Sequence, residues 1–229
     1  MLTKNQILVL FIVLNALNFS HAASIQFGDL LISEVMANPS SVSDVNGEWF
    51  EIFNASANTI DLNGITISDD GSNAHQINNA SGLLILPGAY LVLGRNGDIV
   101  NNGGYTAQYV YNNFSLNNTL DQIVLSNNGN EITRLDYTGL PFGSAGISAE
   151  LINQLLAPKE SDYQLTQSTQ YGLGDFGTPG SRGSLPLINT SSVPVPSAIW
   201  LFASAVFILT NKFKLTHQQL QPIRKYSLC

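Results

Sequence analysis

The sequence predicts an all-β protein folded as an antiparallel β-sandwich. Its central part consists of many short β-type runs, four to seven residues long, with no helical pattern of convincing length. The runs are separated by NG, DDG, PG, NNGG and SNNGN, which supply the turn-forming residues that hairpins need. Short strands at this spacing favour two packed sheets over a fold that alternates strands with helices.

The chain is organised around the stretch Leu30–Asn54. It contains two predicted strands, Leu30–Met36 and Glu48–Asn54, joined by the polar segment Ala37–Gly47. Because side chains alternate along a strand, one side of the second strand carries Trp49, Glu51 and Phe53, and the other carries Glu48, Phe50 and Ile52. Both sides include aromatic residues. We therefore expect one face to pack on a core and the other to be partly covered.

Six further strands are predicted after Asn54. They are Ile65–Ser68, Leu83–Leu86, Tyr90–Leu93, Gln108–Tyr111, Gln122–Ser126 and Glu131–Tyr137. The clearest hairpin joins Ile123–Ser126 to Glu131–Leu135 through the turn Asn127–Asn130. The stretch Ser148–Leu156 fits either a short helix capped by Ser148 or another strand and loop, and both interpretations stay open.

The order of several motifs resembles the lamin tail domain family. The motifs are ISEVMANP, GEWFEIFN, IDLNGITISDDGSN, LLILPGAYLVLGRN and a closing GTPGSRG at Gly177–Gly183, and together they span about residues 27–183. The resemblance implies an immunoglobulin-like β-sandwich used for binding or scaffolding, with no catalytic residues to transfer. Its structural signature residues here would be Glu34, Trp49, Glu51, Asn54, Gly64, Pro87 and Gly88. Ser33 departs from the family, which usually has Asn at that position.

Charge is distributed unevenly along the chain. All sixteen acidic residues, but only four basic ones, lie between Ala23 and Pro196, which gives this part a net charge near −12. Such a body repels phosphate backbones, so we expect no nucleic-acid partner. The single cysteine is Cys229 at the end of the chain, so the domain at residues 23–183 must fold without disulfides.

Residues 1–22 have the pattern of a secretory signal peptide. Lys4 precedes an apolar centre of eleven residues, Ile7–Leu17, and a small-residue cleavage site follows between Ala22 and Ala23. A permanent anchor is the less favoured interpretation, because a span needs about 20 apolar residues. The body is therefore expected to be exported.

A second apolar segment lies near the C-terminus. Residues 184–197 form a Ser/Pro/Thr-rich linker, residues 198–210 a predicted transmembrane or sorting helix, and residues 211–229 a basic tail. Lys212 and Lys214 follow the apolar run at once, which places the tail in the cytoplasm and the body outside. A core element of the domain itself is the alternative interpretation of this run.

The linker and helix together resemble the PEP-CTERM class of bacterial sorting signals in its VPxP variant. The resemblance rests on Val193, Pro194, Val195 and Pro196, followed by the apolar run and lysines. It implies processing near the proline motif by an exosortase, a membrane cysteine protease, and delivery to the cell surface or extracellular matrix. The tail differs from this class because its lysines are scattered and it continues well past the span.

Catalytic chemistry finds little support in the sequence. His75 is the one histidine of the body, and the chain has no Gly-x-Ser-x-Gly elbow for a Ser-His-Asp triad, so we expect His75 in a loop. Carboxylate pairs that a glycosidase would need occur at Glu48/Glu51 and at Asp69/Asp70. A secreted hydrolase acting on polysaccharide is therefore retained as an alternative.

A calcium site is the one metal site that the sequence suggests. Asp44, Asn46 and Glu48 present oxygen ligands at every second position, and Gly47 allows a sharp turn among them. The spacing is only a fragment of an EF-hand loop, and an ordinary Asn-Gly turn explains it as well. No other cofactor is expected.

The sequence thus predicts an exported, non-enzymatic binding or structural module of the bacterial surface or matrix. Its precursor would be anchored in the inner membrane by the C-terminal helix, with the domain outside the cytoplasm. The expected partners are an exosortase-type enzyme and an envelope or matrix protein or polysaccharide. A permanently anchored single-span envelope protein with a calcium-dependent adhesion role is a further alternative.

Overall fold

A computed structural model describes residues 24–154, 157–166, 169–184 and 188–189. All of them belong to the first of two units, Met1–Ser191 and Ser192–Cys229. The predicted signal peptide and its Ala22/Ala23 site, the VPVP motif, the apolar helix and the basic tail lie outside the described residues. No helix within the described ranges is long and apolar enough to cross a membrane.

The regular secondary structure of the described residues is mostly β-strand. In chain order the strands are β1 Leu30–Met36, β2 Trp49–Asn54, β3 Ile60–Asp61, β4 Thr66–Ser68, β5 Ala74–Gln76, β6 Leu84–Ile85, β7 Tyr90–Gly94, β8 Tyr109–Val110, β9 Leu120–Asn127, β10 Asn130–Thr138, β11 Ala149–Leu151, β12 Asn153–Gln154, β13 Tyr163–Leu165, β14 Gln170–Tyr171, β15 Asp175–Phe176 and β16 Ile188–Asn189. Helical structure within the described ranges is limited to α1, Asp44–Gly47, and a 3-10 turn at Glu160–Asp162.

Two sheets dominate the fold. The larger has the strand order β13-β11-β1-β2-β7-β8, and the smaller has the order β10-β9-β4-β5. Pairing is antiparallel except for β7 with β8 and β12 with β16, which are parallel. The all-β prediction is confirmed, and the arrangement is consistent with an immunoglobulin-like β-sandwich. The hairpin of β9 and β10 also forms as predicted, with Asn130 opposite Asn127.

The main core lies on one face of the larger sheet and includes residues of both sheets. Phe50 and Ile52 of β2 are fully buried in it, and Phe50 contacts the rings of Tyr111 and Phe114 at centroid distances of 5.7 and 6.4 Å. Ile67 of β4 belongs to the same cluster. This inner face is almost entirely apolar, as burial of hydrocarbon surface requires.

The opposite, outer face of the larger sheet is also buried. Trp49 belongs to a second, smaller cluster with Met36, Val92 and Tyr105, and Tyr171 of β14 packs against it. Trp49 is fully buried, and its ring lies 5.9 Å from that of Tyr171. The expectation that the second face of β2 would be covered is therefore confirmed, and a later part of the chain provides the cover.

The structure shows which interpretation of the stretch Ser148–Leu156 holds, and it shows strand pairing inside the segment predicted as a linker. The stretch that suited either a helix or a strand forms β11 and β12, because Ala149 and Glu150 pair with β1. Strand pairing also continues into the segment predicted as linker, since Ile188–Asn189 lies parallel to β12. The last described residues therefore still belong to the folded unit.

Candidate functional site

The most distinctive polar feature of the domain is a row of three carboxylates on the outer face of the larger sheet. Glu34 of β1 lies opposite Glu150 of β11 on one side and opposite Glu51 of β2 on the other. Each of the three residues is only 1% exposed. Buried carboxylates are rare unless they are hydrogen-bonded or paired with cations, so their partners define what the row does.

Glu34 lies at the centre of the row and accepts four hydrogen bonds. Its Oε1 accepts from the Thr178 amide at 2.9 Å, from Ser148 Oγ at 2.5 Å and from Thr166 Oγ1 at 3.2 Å. Its Oε2 accepts from Thr178 Oγ1 at 2.6 Å. Glu34 thus joins strand β1 to Thr178, which is 144 residues later in the chain.

Glu51 makes an equivalent connection from the neighbouring strand. Its Oε2 accepts from the Gly180 amide at 2.7 Å, and its Oε1 accepts from Ser33 Oγ at 2.7 Å. The register of β1 against β2 shifts between Ile32 and Glu34, so Ser33 occupies a β-bulge. A bulge re-aims side chains, which accounts for Ser33 and Glu34 both having partners on this face.

Glu150 binds the end of the same segment. Its Oε2 accepts from the Ser184 amide at 2.8 Å and its Oε1 from Ser184 Oγ at 2.5 Å. We call residues 177–184 the closing segment, because it crosses the outer face while bound to all three carboxylates. Each carboxylate accepts from at least one backbone amide of this segment.

Glycine is required within the closing segment for two separate reasons. Gly180 has a φ of +86°, a left-handed conformation that residues with a Cβ rarely adopt. Gly183 has no room for a side chain, because a Cβ there would lie 2.6 Å from Glu150 Oε2. The GTPGSRG motif is therefore shaped for close approach of its backbone to the carboxylates.

Burial dominates the electrostatics of the row. The pKa of Glu51 is raised to about 8: loss of solvent is the largest cause and the charge of Glu34 adds to it, while the hydrogen bonds from Ser33 and Gly180 act in the opposite direction. Burial likewise raises the pKa of Glu34, with Glu150 as a like charge nearby. Among the described residues no Lys or Arg forms an ion pair with these carboxylates. Near neutral pH the row therefore retains a proton.

Another buried carboxylate, Glu48, lies just before β2 in different surroundings. Its Oε2 forms an ion pair with Arg95 at 3.2 Å and accepts from the Leu116 amide at 3.0 Å. Burial raises the pKa of Glu48 to about 7, although Arg95 acts in the opposite direction. Glu48 and Glu51 share no hydrogen-bond partner, so the structure does not bring them together around a common site.

The other candidate catalytic residues, Asp69, Asp70 and His75, each bind different partners and form no common site. Asp69 accepts from the amides of Gly71 and Asn73 and so shapes its own turn, whereas Asp70 pairs with Arg134 of β10. His75 lies in β5, so the expectation of a loop was wrong. Its Nε2 is 2.8 Å from Tyr109 Oη and its Nδ1 is 3.0 Å from Asn112 Oδ1, which links the edge strands of the two sheets.

The three residues of the predicted calcium site lie in and next to α1, and each is bonded to another protein group. Asp44 Oδ2 accepts from Asn118 Nδ2 and Asn46 Oδ1 accepts from Asn96 Nδ2, both at 3.1 Å. Within the described ranges no three His, Cys, Asp or Glu side chains are arranged to hold a metal ion. Calcium binding stays a prediction, in which the metal would replace these hydrogen bonds.

The remaining signature residues have structural positions. Trp49 donates its Nε1 proton to Tyr171 Oη at 3.0 Å, and Asn54 donates its side-chain amide to the Ile85 carbonyl at 3.0 Å. Gly64 and Gly88 have φ values of +87° and +72° in turns, and exposed Pro87 precedes Gly88. The Gly88 amide donates to the Asn54 carbonyl at 2.9 Å, which ties this turn to the end of β2.

Sequence reasoning identified Glu34, Glu51 and the GTPGSRG motif separately but did not connect them. It missed Glu150 and the hydroxyl donors Ser148 and Thr166, because the stretch that contains Glu150 was not resolved as a strand. One signal was present. An acidic residue that replaces an apolar one on the covered side of a predicted strand indicates a buried polar contact.

Comparison with known proteins agrees with the fold. The Lamin Tail Domain family model matches residues 23–139, which is just over half of the 229-residue chain. The match begins earlier and ends earlier than the 27–183 that the motifs suggested, so it includes Glu34 and Glu51 but not Glu150 or the closing segment. No curated protein and no solved structure matches the chain. The chain belongs to the lamin tail domain family.

Proposed function

We propose that this chain is an exported, non-enzymatic binding or structural module of the bacterial cell surface or extracellular matrix. One observation supports this most: the polar site on the larger sheet is filled by the protein's own closing segment. The oxygens of Glu34, Glu51 and Glu150 are occupied by amides and hydroxyls of the same chain. A substrate could reach them only by displacing that segment, so the row serves folding better than hydrolysis.

Sorting through the C-terminal segment is part of the proposal. Its support comes from the sequence alone: an N-terminal signal pattern at residues 1–22, the Val193–Pro196 motif, and an apolar run closed by lysines. In this proposal an exosortase-type enzyme releases the domain near the proline motif. An envelope or matrix protein, or a polysaccharide, would then be its partner through strand edges and acidic loops.

Intact mass spectrometry of the protein from its native host tests this proposal. The proposal predicts a chain that starts at Ala23 and ends near Val193–Ser197, in the surface or medium fraction. A chain that runs from Ala23 to Cys229 in the membrane fraction would contradict processing and favour a permanently anchored protein. A start at Met1 would contradict export by a cleaved signal peptide.

Calcium-dependent adhesion is tested separately. Calorimetric titration of calcium into the wild-type protein and into Asp44→Ala gives a direct comparison. Heat in the wild type that disappears in Asp44→Ala supports a site at Asp44, Asn46 and Glu48. No heat in the wild type ends the hypothesis.

The hydrolase alternative has its own assay. The purified protein would be incubated with a panel of polysaccharides, with Glu51→Gln as the matched variant. The non-enzymatic proposal predicts no products from either protein. Products from the wild type that are absent with Glu51→Gln would overturn it.

A further inference from the structure

The closing segment depends on the carboxylate row for its attachment to the sheet. Its amides at Thr178, Gly180 and Ser184 donate to carboxylate oxygens at 2.9, 2.7 and 2.8 Å, and the hydroxyls of Thr178 and Ser184 donate to the same groups. Such bonds are strong only while the acceptors stay in place. The position and protonation of three carboxyl groups therefore determine whether about eight residues of backbone stay bound to the sheet.

Two of these carboxylates face each other without a compensating cation. Glu34 and Glu51 are opposite in the β1–β2 register and both are almost fully buried. The ion pairs among the described residues involve Arg95 and Arg134, and neither pairs with this row. Two like charges in such surroundings strongly disfavour each other.

Either Glu34 or Glu51 can carry a proton without losing its hydrogen bond to the closing segment. Glu51 Oε1 contacts Ser33 Oγ, and Glu34 Oε2 contacts Thr178 Oγ1, both hydroxyls. A hydroxyl can accept a hydrogen bond as well as donate one, whereas a backbone amide can only donate. Protonation at these two oxygens therefore keeps the amide bonds of Thr178 and Gly180 to the other oxygens.

The remaining charged and titratable groups around the pair lie on four elements. Glu150 of β11 is next to Glu34 and adds negative charge, Tyr171 of β14 also lies near Glu34, and Tyr90 of β7 is next to Glu51. Among the described residues near the pair, the basic group is Arg182 of the closing segment itself, which lies near Tyr90 and is exposed. When the segment leaves the sheet, Arg182 leaves with it, so it does not neutralise the pair in the open state.

We propose that the closing segment is a proton-dependent latch: it binds the outer face while the Glu34–Glu51 pair holds a proton, and it opens when both carboxylates are ionised. Opening returns Glu34 and Glu51 to water, where both ionise freely. The closed state thus binds more protons than the open state, and the latch opens as pH rises. The inference does not depend on export or sorting, because it concerns the domain alone.

Trypsin provides a direct readout because Arg182 lies inside the latch. The purified full-length protein, kept in a mild detergent, would be digested briefly at several pH values, and cleavage after Arg182 measured by mass spectrometry. Rates would be divided by those for a free peptide of residues 177–187, which removes the pH dependence of trypsin. We expect the normalised rate to rise about tenfold between pH 7 and pH 9.

Glu51→Gln is the decisive variant and Glu131→Gln is its matched control. Glutamine keeps an acceptor for Gly180 but cannot ionise, so the latch should stay closed and the pH dependence should disappear. Glu131 is exposed on β10, and its substitution should leave the wild-type profile unchanged. Circular dichroism would establish that each variant folds, and Glu34→Gln, which should also flatten the profile, replaces Glu51→Gln if that variant does not fold.

Three outcomes would overturn the latch. One is a normalised rate at Arg182 that does not change with pH in the wild type. Another is a Glu→Gln variant that folds and keeps the full wild-type rise. The third is equal acceleration of cleavage after Arg134 of β10, because that would mean that the whole domain opens rather than the closing segment.

Discussion

The two faces of strand β2 are both buried, but different interactions hold them. The inner face presents Phe50 and Ile52 to a large apolar core shared by the two sheets. The outer face presents Trp49 and Glu51 to a later segment of the chain, which is bound through hydrogen bonds to carboxylates. Apolar burial does not depend on direction or pH, whereas the outer contacts depend on both.

This difference separates what stabilises the domain from what can respond to conditions. Contacts on the inner face are lost only when the sandwich unfolds. Contacts on the outer face can be lost locally, because few residues have to move to break them. The comparison therefore predicts large, pH-independent effects for inner-face substitutions and smaller, pH-dependent ones for the outer face.

The largest effect is expected from Phe50→Ala on the inner face. The substitution removes a fully buried ring that contacts Tyr111 and Phe114, and should lower the free energy of unfolding by about 3–5 kcal/mol. Phe53→Ala, three residues later and only partly buried against the same core, is the matched control and should cost less. Urea unfolding measures both. Equal losses would mean that full burial of the ring does not set the cost.

Thr178→Val should have an intermediate effect on the outer face. It keeps the size of the side chain but deletes the hydroxyl that donates to Glu34 Oε2 at 2.6 Å, at a cost of about 1–2 kcal/mol. Thr106→Val on the exposed surface is the control and should change little. The account fails if Thr178→Val is as stable as the wild type in urea unfolding.

Part of the pH dependence of global stability should come from the outer face, and buried Glu48, whose pKa is raised to about 7, should contribute another part. The pKa of Glu51 is raised to about 8 when folded and returns to its ordinary value when unfolded, so the folded state binds more protons in between. The free energy of unfolding should therefore fall as pH rises from about 5 to about 8. Glu51→Gln should reduce this slope, and Phe50→Ala should leave it unchanged. A slope that is the same in all three proteins would contradict the assignment.

The smallest effect is expected at the exposed edge of the second sheet. Arg134 pairs with Asp70 and, at 2.8 Å, with Asp136, but these partners are largely exposed. Arg134→Ala should cost about 1 kcal/mol or less, and the difference should shrink at high salt. Unfolding measured at low and high salt checks both points. A loss as large as that of Phe50→Ala would mean that surface charge outweighs the core.

The sequence was sufficient for the long strands and for singling out Glu34, Glu51 and the GTPGSRG motif. Leu30–Met36 was predicted with the bounds that the structure shows, and the alternation along β2 identified both of its faces. Two short strands, β3 and β5, were missed because two or three residues show no alternation, whereas the equally short β4, β6 and β8 lie within predicted strands. That is also why His75 was expected in a loop.

The carboxylate row could not be predicted, because it depends on contacts between distant parts of the chain. Glu34 and Thr178 are 144 residues apart, and no local pattern indicates that they meet. Glu150 needed β11 to be recognised and placed beside β1, and its surroundings suited a helix equally well. The pattern thus predicts which residues are buried but not which distant segment covers them.

Hydrogen exchange of the closing-segment amides tests this account most directly. NMR would follow the Thr178 and Gly180 amides, with the Gly71 amide in an exposed turn as reference. The account predicts that Thr178 and Gly180 exchange much more slowly than Gly71 near neutral pH, and that their protection falls as the pH is raised. Exchange of all three at similar, unprotected rates would show that the segment does not bind the carboxylate row.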